Sequence, residues 1–250
     1  MTKKTDTPTT GAELAPISDK QMADQLAIYA SEWGSKGPST PEIKISYADD
    51  ETKGKYIVKR GDETELIGDF CNVIIMKSRN QYSLYNEDKE ESMKTDEFDD
   101  FKQMVSLRKG GKVILNAPYQ DVKLEIKSKY PDMKFINILY VYYKDIIHKI
   151  YVKPGSRQGL WDFQANTSGR ASFSFNTTLG VTTNKKGSTT YYPMTFQKGE
   201  DMAPEEFKTM MALRIELDKT LVMLTEANEK KVGPTNTDDL DQAEIVELFS

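Results

Sequence analysis

Cysteine and histidine are almost absent from this chain: Cys71 and His148 are the single examples in 250 residues. One cysteine excludes an internal disulfide framework, and one histidine beside one cysteine excludes a conventional zinc site. The same counts remove most Cys–His and Ser–His–Asp chemistry, because any triad would have to use His148. Long apolar runs are lacking too. A bilayer-spanning helix needs about 20 mostly apolar residues. The longest candidate, Phe135 to Tyr143, is strand-sized and contains Asn137. The lysines of the first ten residues are followed by no apolar core, so a secretory signal is not expected. The chain reads as a cytoplasmic protein. Neither common glycine-rich phosphate loop is present. The nearest stretch, Lys109-Gly110-Gly111-Lys112, reads as a turn, and no cofactor is called for.

Charge is plentiful and segregated. Residues of the AVILMFWYC set make up 38% and charged residues 29%. This predicts a sizeable core with polar appendages, since ordinary globular chains are roughly 45–50% apolar. Thr235 to Ser250 carries five acids and no base, which equals the net charge of −5 for the whole chain. Glu87 to Asp100 holds eight acids against two lysines, whereas Lys102 to Glu200 holds sixteen Lys/Arg against six acids. A basic body between acidic segments points to a polyanion partner, and the plain alternative is a solvated lysine-rich surface.

Periodicity then sets the expected organisation. Residues 1–17 read as a flexible segment. A helix is predicted from Ser18 to Trp33, with Met22, Leu26, Tyr29 and Trp33 on one face. Alternation predicts strands at Ile43 to Tyr47 and Tyr56 to Val58, with a turn at Gly61-Asp62-Glu63. It predicts another at Val73 to Met76, a hairpin connection at Ser78-Arg79-Asn80, and a strand at Gln81 to Tyr85. Asn86 to Asp100 reads as a long loop with a short helix at Asp96 to Phe101. Lys112 to Leu115, Val122 to Ile126, Phe135 to Tyr143 and Ile146 to Val152 read as strands, with a turn at Lys144-Asp145. Gly155 to Phe163 reads as irregular, with one helical turn as the alternative. Ala171 to Val181 and Thr189 to Phe196 read as strands joined through a hairpin tip with Lys185 and Lys186. Pro204 to Glu226 is the clearest helix, its apolar stripe interrupted by Arg214. The expected fold is mainly β (α+β): an OB-like barrel or sandwich over residues 18–200, a C-terminal helix over 201–232, and an acidic tail over 233–250.

Few residues point to catalysis. Asp96, Glu97, Asp99 and Asp100 could hold a divalent cation, but the spacing fits no EF-hand loop and a solvated acidic loop is the simpler reading. His148 shares a face with Ile146 and Ile150, as a packed histidine does, and Cys71 reads as a small buried hydrophobe. The stronger pattern is cation and ring interleaved on strands. Single-stranded nucleic acid needs that mixture: bases stack on aromatic faces at roughly 1–3 kcal/mol each, and cations track the phosphates. The candidate stacking residues are Tyr140, Tyr142, Tyr151, Trp161, Phe173 and Phe175. The candidate phosphate contacts are Lys144, Lys149, Lys153, Arg157, Arg170, Lys185 and Lys186. The alternative for any one ring is that it fills a β core.

The last residues add a second signal. Asp238, Asp239, Asp241, Glu244 and Glu247 precede Phe249. In this the chain resembles bacterial and phage single-stranded DNA-binding proteins, which end in an acidic tail with an aromatic near the last position. Ser250 after Phe249 and the interspersed apolar residues depart from that pattern. The resemblance implies an oligonucleotide-binding β-barrel, no catalysis, and a tail that recruits replication and recombination proteins or masks the basic groove. A homo-oligomer is compatible with it. The expected function is therefore to coat single-stranded DNA during replication or recombination. Two alternatives remain: a phage structural or assembly protein of β-sandwich type, and a metal-dependent enzyme using the acids at 96–100.

Overall fold

A computed structural model describes residues 40–60, 63–86 and 91–231; the N-terminal segment, the helix predicted from Ser18, the centre of the turn predicted at Gly61-Asp62-Glu63 and the acidic tail lie outside the described residues. Runs rich in branched and aromatic residues form the centre. β4 (Cys71–Asn86), β8 (Lys134–Tyr143) and β9 (Ile146–Val152) make an antiparallel meander. Lys144 and Asp145, with φ of 46° and 66°, make the tight turn between the last two. The chain then crosses through helix α2 (Arg157–Asn166), and β10 (Phe175–Val181) returns to pair with the start of β4, Leu179 opposite Cys71. A fourth strand thus lies beside the first of these three, the spatial order of a Greek key but with a long connection between β4 and β8. β13 (Met194–Asp201) pairs with β10, and between them β11 (Asn184–Lys186) and β12 (Thr189–Tyr191) form a separate hairpin.

Two extensions widen this centre. β1 (Glu42–Ile45) runs parallel to β9 at Glu42 and Lys149, followed outward by β2 (Tyr56–Arg60) and β3 (Glu63–Gly68). On the other side β5 (Glu91–Thr95), β6 (Met104–Lys109) and β7 (Lys112–Pro118) continue from the far end of β4, backed by helix α1 (Tyr119–Lys129). The protein is mainly β with α+β character, as expected, built on an 11-stranded mixed sheet. That sheet is an open path from β3 to β7 among the described residues, not a closed barrel. The outer edge of β9 is taken by β1, so β9 and β13 do not close on one another.

Strand alternation divides the apolar residues among three cores. Val73 and Ile75 of β4, Leu139 and Val141 of β8, and Ile150 and Val152 of β9 face α2 and β10. Ile74, Met76, Ile138 and Tyr140 face the opposite way, against Met210, Leu217 and Leu221 of helix α3 (Pro204–Lys231). Phe98, Leu107, Tyr119 and Ile126 form the core of the β5–β7 extension. The helix predicted from Pro204 is present, although Met211 of its expected stripe is exposed.

Several local expectations are corrected. β4 runs without a turn through Ser78-Arg79-Asn80, which lacks glycine and proline. Arg79 meets Glu97, and Asn80 bridges to Phe98. Residues 91–95, expected within a long loop, form β5, and no helix forms at 96–101. Val122 to Ile126 lies in α1, because Tyr119, Val122 and Ile126 bury one helical face rather than alternate. Gly155 to Phe163 is mostly regular, a 3-10 turn (Pro154–Ser156) leading into α2, with Leu160 and Phe163 buried. Among the described residues no helix is long and apolar enough to cross a membrane.

Candidate nucleic-acid interface

Because Ile43 and Ile45 of β1 and Tyr56 and Val58 of β2 point into the core, alternation turns Lys44 and Lys59 to the other side. Ile150 and Val152 do the same for Tyr151, with Lys153 the next outward position past the strand end. These side chains line an open cleft of about 580 Å³, walled by the turn at Pro154–Ser156 and by Tyr191, Tyr192 and Pro193. Its floor is fixed by Ser156, whose buried Oγ accepts the Met194 N–H at 2.9 Å.

Rings and cations meet in this cleft. Tyr47 is 48% exposed and packs edge-on to Tyr192, with centroids 5.5 Å apart. Lys153 Nζ lies 4.6 Å from the Tyr47 centroid, a cation over a ring face. Tyr192 in turn lies flush on Gly54, whose φ is +76°. A Cβ there would come within 2.8 Å of the Tyr192 ring, so both backbone and space require glycine. Burial, with Glu97 and Glu42 nearby, pushes the Tyr151 hydroxyl up to about 12, so it stays neutral. Among the described residues no carboxylate pairs with Lys44, Lys59 or Lys153; Glu42 is the one acid in the lining. The β11–β12 hairpin, with exposed Lys185 and Lys186, ends at Tyr191 on the cleft wall.

The structure brings four of the sequence-predicted residues to this region: Tyr151 and Lys153 in the cleft, and Lys185 and Lys186 on the hairpin. The others are dispersed, and two of the rings are corrections. Tyr140 and Phe175 are each 1% exposed and belong to cores. Phe175 packs on Phe163, with Lys198 and Arg170 over its ring. Tyr142 is half-buried under α3, its hydroxyl bonded to Asp145 at 3.0 Å. Phe173 stacks on Phe207 of α3. Lys144 pairs with Glu65 at 2.5 Å and Arg170 with Asp201 at 2.7 Å. Arg157 lies between the rings of Phe135 and Trp161, the latter 46% exposed. The tail residues Asp238, Asp239, Asp241, Glu244, Glu247 and Phe249 lie outside the described residues.

Lys149 is engaged internally. Its Nζ is 2.7 Å from Glu97, which also accepts the Tyr140 hydroxyl and lies 4.0 Å from Arg79. Burial alone would raise the Glu97 carboxyl; Lys149, Tyr140 and Arg79 together hold it below the ordinary carboxylate value. The other acids of the 96–99 stretch are also matched to cations, Asp96 to Arg108 at 2.9 Å and Asp99 to Lys77 at 2.8 Å. Among the described residues no group of three or more His, Cys, Asp or Glu is arranged to hold a metal.

Sequence reading missed Lys44, Tyr47, Lys59, Tyr191 and Tyr192. The signal for the tyrosine pair was the Tyr191-Tyr192 doublet just beyond the two-lysine hairpin. Tyr47 carried one as the outermost member of the Ile43, Ile45, Tyr47 alternation. No protein-family model matches the chain, and no curated protein or solved structure matches it.

Proposed function

We propose that the protein binds single-stranded DNA without catalysis, in the cleft beside β9. The observation that carries this reading is the meeting of three lysines with Tyr47, Tyr191 and Tyr192 in one open cleft. Rings give sequence-tolerant stacking and lysines track a phosphate chain. The strand path supports an OB-like reading. Taken in chain order, the five strands β4, β8, β9, β10 and β13 have the spatial order 3-2-1-4-5, with α2 between the third and fourth. OB folds bind oligonucleotides on the face of strands 2 and 3 and on the loops joining strands 1–2 and 4–5. Here the 4–5 connection is the β11–β12 hairpin, and the cleft flanks strand 3. The reading needs an open face, not a closed barrel. The role is to coat exposed strands in replication or recombination, in the cytoplasm of the host. The acidic tail masks the cleft or recruits partner proteins.

The test is fluorescence anisotropy of a labelled oligo-dT. Replacing both Tyr47 and Tyr192 with alanine is expected to weaken binding roughly 5- to 150-fold, the equivalent of about 1–3 kcal/mol for a lost stacked base. Absence of binding by the unaltered protein at low salt would end the proposal. The outer edges of β3 and β7, unpaired among the described residues, favour a second reading, self-assembly through the sheet. Light scattering of the nucleic-acid-free protein discriminates, since large ordered particles would favour assembly.

A further inference from the structure

Tyr151 belongs to two surroundings at once. It lines the cleft, and it packs in the cluster beneath α3. The cleft therefore continues, along the outer face of the meander, into a surface that α3 covers. Two contacts hold the helix there that have the form of ligand contacts. Phe207 lies flat on Phe173, with interplanar angle 9° and centroids 5.6 Å apart. Asp218 sits 2.6 Å from Lys77 Nζ, which also meets Asp99. A ring on a ring and an anion on a lysine are what a stacked base and its phosphate would supply. Arg214 completes the attachment by donating to the Met76 carbonyl and to Asp218. The outward side of the helix is not uniformly polar: Met211, Ile215 and Val222 are exposed.

We propose that α3 occupies a second stretch of the single-strand site, formed by Phe173, Tyr142, Tyr151 and Lys77, and that a longer oligonucleotide extends onto it from the cleft by displacing the helix. The identity of the ligand rests on the single-strand reading above; the displacement does not. Glu97 is not displaced, because Phe98 beside it is fully buried in the neighbouring core. The stretch is therefore opened by the helix alone, and short ligands leave it closed.

The experiment compares an oligo-dT of about six nucleotides with one of about twenty, the first near the lower end and the second beyond the upper end of the roughly 4–16-nucleotide site sizes of such folds. The doubly substituted chain Phe207→Ala, Asp218→Asn is expected to bind the short ligand as before and the long one roughly fivefold or more tightly. Adding Phe173→Ala should remove that gain. Equal changes for both lengths, or none, would overturn the proposal. If the substituted chain does not fold, as read by circular dichroism, hydrogen exchange on the unaltered protein decides. The long ligand should lower amide protection across Pro204–Met223 and the short one should not; unchanged or increased protection overturns the displacement. Failure of the unaltered protein to bind the short ligand would instead count against the cleft. A long-ligand gain in the substituted chain would then still uphold the covered stretch.

Discussion

His148 illustrates how far one residue can be read from its neighbours. Its place between Ile146 and Ile150 predicts a packed side chain, and it is 0% exposed, with Nδ1 3.2 Å from the Ile146 carbonyl. Nε2 has no partner. Burial is the main force on the ring, and it lowers the imidazole from its ordinary 6.5 to about 4. The folded state therefore holds the neutral form where the unfolded chain takes up a proton. Stability from this residue is complete above about pH 6.5 and is lost as pH falls toward 4, by up to about 3 kcal/mol. Urea midpoints at pH 7 and pH 4.5 check this: the unaltered protein should lose more stability between the two than His148→Gln does. Equal losses would assign the acid sensitivity to the carboxylates held below their usual range, Glu97, Asp99 and Asp218. Cys71 was equally legible, a thiol buried and pushed up to about 12. Tyr140 and Phe175 were not, because alternation states which side of a strand a ring takes but not what covers that side. Tyr140 takes the outer side and is covered by Glu97 and the α3 cluster. Phe175 takes the inner side, where α2 closes over it.

Elements were legible where their period was unbroken. β8 and β9 carry branched and aromatic residues almost without interruption, and their bounds lie within a residue or two of the pattern. α1 was misread because Val122, Leu124 and Ile126 alternate by chance; Leu124, 64% exposed, lies on the solvent side of the helix. The stretch after β5 was misread for the opposite reason: Asp96, Glu97 and Asp99 suggest a solvated loop, yet they answer Arg108 of β6, Lys149 of β9 and Lys77 of β4. The β11–β12 hairpin was read in part: the turn falls at Gly187, with φ of 61°, but Lys185 and Lys186, expected at its tip, lie on β11, and the strand expected from Thr189 to Phe196 is divided between β12 and β13. The hairpin is also the element whose contribution is simplest to isolate. Lys185 and Lys186 are exposed and distant from the apolar cores, so replacing both with glutamine should leave thermal stability within about 0.5 kcal/mol. If the hairpin tracks phosphates, the slope of log affinity against log salt should become shallower by about 1.4, close to 0.7 for each single-strand phosphate no longer neutralised. An unchanged slope would mean the hairpin stands clear of the bound strand.

At the scale of the whole molecule the governing fact is the division of charge. The final sixteen residues carry the entire net charge of −5, so the remainder of the chain sums to zero while its middle is strongly basic. The cleft lysines lie in that basic middle or on β1 and β2 beside it. An anion tethered to the same chain would compete at an effective concentration in the millimolar range, so that a weak affinity for the cleft would suffice. Electrostatic competition of this kind weakens as the screening length contracts from about 10 Å at 0.1 M salt to about 3 Å at 1 M. Removing residues 235–250 is therefore expected to tighten oligo-dT binding at low salt, and the advantage should shrink as salt is raised until the two chains bind alike. The measurement is a pair of salt titrations, full chain against shortened chain, with one oligonucleotide of about twenty nucleotides. Parallel titration curves with equal affinity throughout would show that the tail does not compete for the cleft, leaving the recruitment of a partner protein as its role. A gain that persists unchanged at high salt would require an apolar contact, with Leu240, Ile245, Val246, Leu248 and Phe249 the larger apolar side chains of that stretch. The shape of the difference curve thus separates a phosphate-like competitor from an anchored one, even though both would raise affinity when cut away.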